Sequence, residues 1–242
     1  MERKDFIHSS TRIRSLESKL LTKEQFDRMI ESNSLEDAIK VLQETSYSDV
    51  FNKIDRPEDC DKAIYSELTN LYETVMDLSN NRDIVDIVTL KYDAHNMKVI
   101  LKDHVMGTDN TNLIYPMGRI KVSNVAEQAE KGDRKGIDKM LDGLATEAVY
   151  DYGDTLNPQS VDLAVDKRFY NNLLKISEKT DLDTLRKYAK DFIDFSNLIA
   201  LFRMQRQNRN PEYAEKVISV SGNIDRKEIL RLFNEPISVI VD

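Results

Sequence analysis

The chain has 242 residues, of which 32% are charged, with a formal net charge of −8, only seven glycines and five prolines, and no tryptophan. An acidic chain without clustered Lys and Arg cannot neutralise a row of phosphates, which argues against DNA or RNA as partners. The single cysteine, Cys60, cannot form an internal disulfide, and no CxxC or Cys/His spacing supplies a zinc site, so a reducing cytoplasm fits.

The N-terminal segment lacks the continuous apolar core of a signal peptide. No later run approaches the roughly 18 apolar residues of a transmembrane helix, so membrane association is expected only through other proteins. The length suits roughly two domains, and the scarcity of turn residues suits long, solvent-facing helices; the expected class is all-α.

Helix starts recur along the chain as an N-cap residue answered three positions later. Thr22 with Gln25, Ser34 with Asp37, Asn124 with Glu127 and Asp225 with Glu228 all have this form. After Ser34, the residues Leu35, Ala38, Ile39 and Leu42 fall on one helical face. Longer helices are expected over 57–79, 82–105, 158–178 and 181–207, while "ISVIVD" at the end is the only alternating run that reads as a strand.

The sequence from 91 to 102, "KYDAHNMKVILK", places Asp93, His95 and Asn96 within four positions. A shift of 101 residues lays it on "FIDFSNLIALFR", so that Asp93 meets Asp194, Asn96 meets Asn197 and Lys102 meets Arg203. The register holds without a gap from Asp61 on Asp162 onward, and its apolar positions agree: Ala63 with Ala164, Leu68 with Phe169, Val75 with Ile176 and Leu101 with Phe202. His95 meets Ser196, so chemistry that needs an imidazole there is missing from the second copy. The front of each unit repeats more loosely, with Leu21, Ile120 and Ile224 equivalent and Phe26, Val125 and Ile229 beside them.

A third unit therefore begins near Ser219 and is expected to be incomplete. The domain reading is 1–115, 116–217 and the start of a third repeat at 218–242.

Each Asp and Asn pair sits at i and i+3, on one helix face, and is read as a structural pair that caps or bridges neighbouring helices by hydrogen bonds. A metal at His95 is the sharper alternative. Carboxylate-bridged bundle sites want Glu-x-x-His pairs, and the chain has none. His8 and His104 are read as exposed. Asp83 with Asp86 and Asp191 with Asp194 are magnesium-compatible pairs of a kind that an acidic chain produces by chance. No phosphate loop or GxGxxG is present, so no cofactor is expected.

"STRIRSLESKLLTKEQFDRMIESNSLEDAIKVLQETSY", "LKYDAHNMKVILK", the loop "YPMGRI" and "LAVDKRFYNNLLKISEKTDLDTLRKYAKDFIDFSNLIALFRMQR" together resemble the C subunit of bacterial and archaeal V/A-type rotary ATPases, called the d subunit in the eukaryotic vacuolar enzyme. The resemblance covers essentially the whole chain, and the order and spacing of the motifs make it specific. It implies an all-helical funnel of three similar domains about a pseudo-threefold axis. That funnel would be a non-catalytic rotor part, seated on the membrane rotor ring and receiving the central-shaft subunits, for ATP-linked proton or sodium transport. The departure from the family is the missing remainder of the third domain.

The resemblance also implies a cytoplasmic protein peripheral to the membrane, with no small-molecule substrate. Candidate partner contacts are Arg206 and Arg209 in the densest basic stretch, and Tyr115 and Met117 in the loop before the second unit, which exposes Ile114, Tyr115 and Met117 near a proline, groups that in such a linker usually pack locally but can also serve a partner. Two other classes compete: a soluble helical repeat adaptor unrelated to ATPases, and a helical-bundle enzyme using the carboxylates. A period of about 100 residues is long for a solenoid, and the enzyme needs a converging pocket.

Overall fold

The computed structural model describes residues 6–79, 81–131, 143–236 and 239–240. Among them are twelve α-helices, three short 3-10 turns and no strand. The chain divides into two compact units, Met1–Val85 and Asp86–Asp242.

The first unit holds α1 (Ile7–Glu17), α2 (Lys23–Ile30), α3 (Leu35–Gln43), α4 (Ser48–Phe51) and α5 (Cys60–Leu78). Thr22 opens α2 with a complete capping box: its hydroxyl accepts from the Gln25 N–H, and the Gln25 side chain accepts from the Thr22 N–H at 2.8 Å. Ser34 caps α3 by accepting from the Asp37 N–H at 3.2 Å, and Asp37 turns outward to Lys40 at 2.8 Å. Pro57 occupies the first turn ahead of α5, where its missing N–H has no helical partner to lose.

A small core of Ile39, Val50, Phe51 and Ala63 joins α3, α4 and α5, with Cys60 packed at its edge as a free thiol. The Ser9 hydroxyl donates to the Leu78 carbonyl and ties α1 to the end of α5. On α2, Phe26 and Ile30 stay exposed.

The second unit is built on α6 (Arg82–Met106, counted from Asp86), α7 (Val122–Lys131), α8 (Leu144–Thr155), α9 (Gln159–Lys179), α10 (Asp183–Arg206), α11 (Pro211–Val217) and α12 (Arg226–Arg231). All four long helices expected from the sequence are present, with ends within three residues of expectation. Asp181, with φ 55°, makes the tight turn between α9 and α10. Those two helices close as a hairpin, with Phe169 and Phe192 edge to face at 5.8 Å. The main core draws Leu90, Met97 and Leu101 from α6 together with Val161, Val165, Leu173 and Ile193 from the hairpin. Burial of each such side chain contributes about 1.5 to 3 kcal/mol. A second cluster, around Leu201, Ala214, Ile218, Ile229 and Phe233, seats α11 and α12 on the far half of α10.

Three local expectations are corrected. Helix α7 starts at Val122, so Asn124 lies inside it and is no cap; the loop just before is pinned elsewhere and brings the chain into helix three residues early. Asp225 does cap α12, but through the Lys227 N–H at 2.7 Å, and Glu228 pairs with Arg231 at 2.6 Å instead of reciprocating. In "ISVIVD", Val239 and Ile240 are helical, and the rest of the run lies outside the described residues.

Candidate functional site

The repeated Asp and Asn of α6 and α10 are buried polar residues, and burial without partners is costly enough that the partners define their role. On α6, Asp93 Oδ1 accepts from the Ile120 N–H at 2.9 Å and Oδ2 from the Arg119 N–H at 3.1 Å. One turn on, Asn96 works on the same loop, accepting from the Tyr115 N–H at 2.9 Å while its Nδ2 donates to the Tyr115 carbonyl at 2.9 Å and the Met117 carbonyl at 3.5 Å. The side-chain pair thus acts as a clamp that satisfies an irregular backbone segment laid across the helix.

Helix α10 repeats the device. Asp194 Oδ2 accepts from the Asn223 N–H at 2.8 Å and Oδ1 from the Ile224 N–H at 3.2 Å, while Asn197 donates to the Val220 carbonyl at 2.9 Å. Asn223 also donates from its side chain to Asp191 at 2.8 Å and to Asp194 at 3.0 Å. These partners account for Asp191 and Asp194, one of the two aspartate pairs that a magnesium reading would have used. Among the described residues no group of three or more His, Cys, Asp or Glu is placed to hold a metal.

Sequence reasoning missed the two glycines that make the clamps possible. Gly118 (φ 129°) and Gly222 pass so close to their helices that a Cβ on either would collide with the Asp93 or Asp194 carboxylate, and at Gly222 also with the Lys190 carbonyl. The signal was available: placing Ile120 on Ile224 also places Gly118 on Gly222.

Electrostatics differ between the two clamps. Burial pushes the Asp93 carboxyl up to about 6, against the pull of the two N–H donors and of Arg119, and nearby Asp86 adds to the rise. The Arg119 guanidinium lies 3.8 Å from Asp86. His95 is half-buried and structural: its Nε2 is 2.9 Å from the Leu113 carbonyl, and its ring meets Tyr115 edge to face at 4.6 Å. Both partners belong to the clamped loop, which Asn96 holds independently. His95→Ser is therefore expected to cost no more than about 1 kcal/mol in urea unfolding, with helix content unchanged; a loss of the folded state would give the imidazole a larger part.

Lys102 bonds Asp162 at 2.7 Å and Lys98 bonds Asp166 at 2.6 Å, two antiparallel rungs that join α6 to α9. Burial raises the Asp166 carboxyl despite the lysine beside it. Arg203, the counterpart of Lys102, is exposed and makes no ion pair among the described residues. Arg206 is exposed, and Arg209 lies over the Tyr213 ring at 5.1 Å. In the loop, Ile114 and Tyr115 are half-buried and Met117 is buried, so the loop does not expose these apolar groups as its composition implied. Its backbone is drawn onto α6 by Asn96, which turns the apolar side chains inward. His8 and His104 are exposed.

No helix among the described residues is long and apolar enough to cross a membrane. The arrangement positions loops and joins helices; it gathers no nucleophile, base and acid about a common point.

The model of the ATP synthase (C/AC39) subunit family matches residues 9–241. Among curated relatives, the C subunit of the A-type ATP synthase of Methanocaldococcus jannaschii is 26% identical over 233 residues, covering 90% of this chain and 58% of the relative. The C subunit of the V-type sodium ATPase of Enterococcus hirae is 24% identical over 220 residues, covering 90% of this chain and 66% of its own length. The corresponding A-type ATP synthase protein of Thermococcus kodakarensis is 22% identical over 236 residues, covering 94% and 64%. The chain thus spans about three fifths of the length of such relatives. A match that runs through both helical units and both clamps shows the family: this chain is a member of the ATP synthase (C/AC39) subunit family.

Proposed function

We propose that the protein is a non-catalytic central-stalk subunit of a V/A-type ATPase, coupling the rotating shaft to the membrane rotor ring for ATP-linked proton or sodium transport. The observation that carries this reading is the family match over residues 9–241. The relatives are named as subunits of ATP synthases and of a sodium ATPase, and the physical character of the chain agrees with the role. A part that passes torque must resist twisting; long helices packed along their apolar faces, with the loops between them pinned by buried carboxylates, supply stiffness that flexible linkers lack.

Partners are the shaft subunits and the ring, on the cytoplasmic side of the membrane, with repeats about a pseudo-threefold axis as the frame. The exposed Arg206 at the end of α10 and the neighbouring Arg209 form a basic edge suited to an acidic shaft surface, with Tyr115 at the rim of the clamped loop as a further contact.

The test is reconstitution. Soluble motor and membrane sectors stripped of this protein are recombined with and without its full-length form, and ATP-driven ion transport is measured beside ATP hydrolysis. Transport is expected to return only when the protein is added, and by itself it hydrolyses no ATP; full transport without it refutes the coupling role. Arg206→Glu with Arg209→Glu is expected to weaken shaft binding about tenfold at low salt and less at high salt, as for exposed charge pairs.

A further inference from the structure

We propose that the cleft between the end of α6 and α7 is an anchor site for a basic segment of a partner protein, which inserts one large apolar side chain, flanked by lysine or arginine, against Ile100. The inference rests on this cleft alone and does not depend on the coupling role.

Local chemistry builds the cleft. Gly107 (φ 66°) follows α6, and the chain turns back along the helix, held by the Asp103 carboxylate, which accepts from the Thr108 hydroxyl at 2.6 Å and from the Asn110 N–H and side-chain amide at 2.7 and 2.6 Å. The loop thereby becomes a preorganised wall. Ile100 of α6, Ile114 of the loop and Val122, Ala126 and Ala129 of α7 line a cleft of about 250 Å³. Sites for whole small molecules begin at roughly 300 Å³, so this one suits a single side chain of a larger partner.

The other clamp shows what fills such a place. Seven residues on from the clamp aspartates Asp93 and Asp194 stand Ile100 and Leu201, and nine residues on from the clamped Ile120 and Ile224 stand Ala129 and Phe233. Phe233 is 6% exposed and packs in one cluster with Leu201. Beside Ile100 the alanine supplies no ring, and the volume stays open. An aromatic ring is therefore the expected anchor.

The rim sets the charge of the occupant. Asp103, Asp109 and Glu130 stand around the cleft against a single imidazole, His104, and none of the three acids makes an ion pair among the described residues. Their charge adds to the negative end of the α6 dipole, so the cleft attracts Lys and Arg and repels lipid phosphates and nucleic acid. Met106, three residues past Asp103, and Leu113, beside the wall residue Ile114, are 47% and 52% exposed and widen the apolar contact.

The experiment titrates the whole 242-residue protein into a fluorescein-labelled helical peptide and follows anisotropy. The peptide has about 15 residues, with one central phenylalanine and lysines a turn to either side, and is used at low salt and about pH 7.5. Saturable binding is expected, weakened about tenfold when the phenylalanine is replaced by alanine and abolished when the lysines are replaced by glutamates. Ala126→Phe, which fills the cleft, should cost about tenfold for the parent peptide and nothing for the alanine peptide, the coupling of one shared contact. If its urea midpoint falls, Leu113→Ser at an exposed position serves in its place, with a loss of about threefold. Asp109→Asn, which keeps an acceptor for the Thr111 N–H, combined with Glu130→Lys should cost about tenfold at low salt and less at high salt. Absence of saturable binding overturns the proposal, as does equal binding of the alanine peptide. So does binding indifferent to the cleft and rim variants alike, which would place the peptide on another acidic face of the chain.

Discussion

Gly222→Ala is expected to destabilise the second unit by about 3 kcal/mol or more, among the largest effects of any single methyl in this chain. The added Cβ meets the carbonyl oxygen of Lys190, part of the α10 backbone, as well as the Asp194 carboxylate. A side chain can rotate away; a helical carbonyl cannot move without loosening its own ladder. Trimming the acid in the double variant Gly222→Ala with Asp194→Ala should therefore not recover stability. At Gly118 the logic differs, for the tightest contacts there all belong to the Asp93 side chain, and the remaining penalty is the φ of 129° that L-residues avoid. Gly118→Ala should couple strongly with Asp93→Ala in a double-mutant cycle, whereas the Gly222 pair should come out close to additive or worse. Urea midpoints of the two cycles check this, and equal coupling at both glycines would show that the Lys190 carbonyl yields.

Asp93→Ala is expected to cost about 1 to 3 kcal/mol near neutral pH, because the Arg119 and Ile120 N–H groups lose their acceptor. The same residue makes stability depend on pH in a definite direction. Burial lifts its carboxyl from 3.8 to about 6, so the folded state binds the proton more tightly than the unfolded chain. For an acid with a raised folded value, the stabilising contribution of proton uptake is present at low pH and is lost as pH rises through about 6. The second unit should accordingly gain about 1 kcal/mol on going from about pH 7.5 to about pH 5, measured by urea unfolding at low protein concentration. Asp166, also raised by burial, acts in the same direction. In Asp93→Ala the gain should shrink to the part that Asp166 supplies. A gain undiminished in that variant would place the titration elsewhere.

Helix positions were legible in the sequence because the information is local. Apolar spacing of three and four residues and a capping side chain act within one or two turns, which is why α5, α6, α9 and α10 and the Thr22 capping box stand where the sequence puts them. The pairing of Asp with Asn at i and i+3 was legible too, since a helix places them on one face in any context. The family resemblance came from the order of such motifs along the whole chain, which needs no coordinates.

What those residues bind was decided only in three dimensions. Asp93 and Asn96 reach backbone 19 to 27 residues downstream, and Asp194 reaches 29 and 30 residues downstream; no periodicity carries that distance. The same long-range clamping brought α7 into helix ahead of Asn124 and turned Met117 inward from a loop whose composition alone pointed outward. Ion pairs divide in the same way. Lys102 and Arg203 are matched residues in sequence, yet Lys102 is tied to Asp162 while Arg203 is exposed and makes no ion pair among the described residues. Sequence by itself determines a helix and the face it shows, since both are settled by groups a turn apart; which surface meets that face, and so which buried polar atom is satisfied, depends on the path of the whole chain and is decided by the tertiary structure alone.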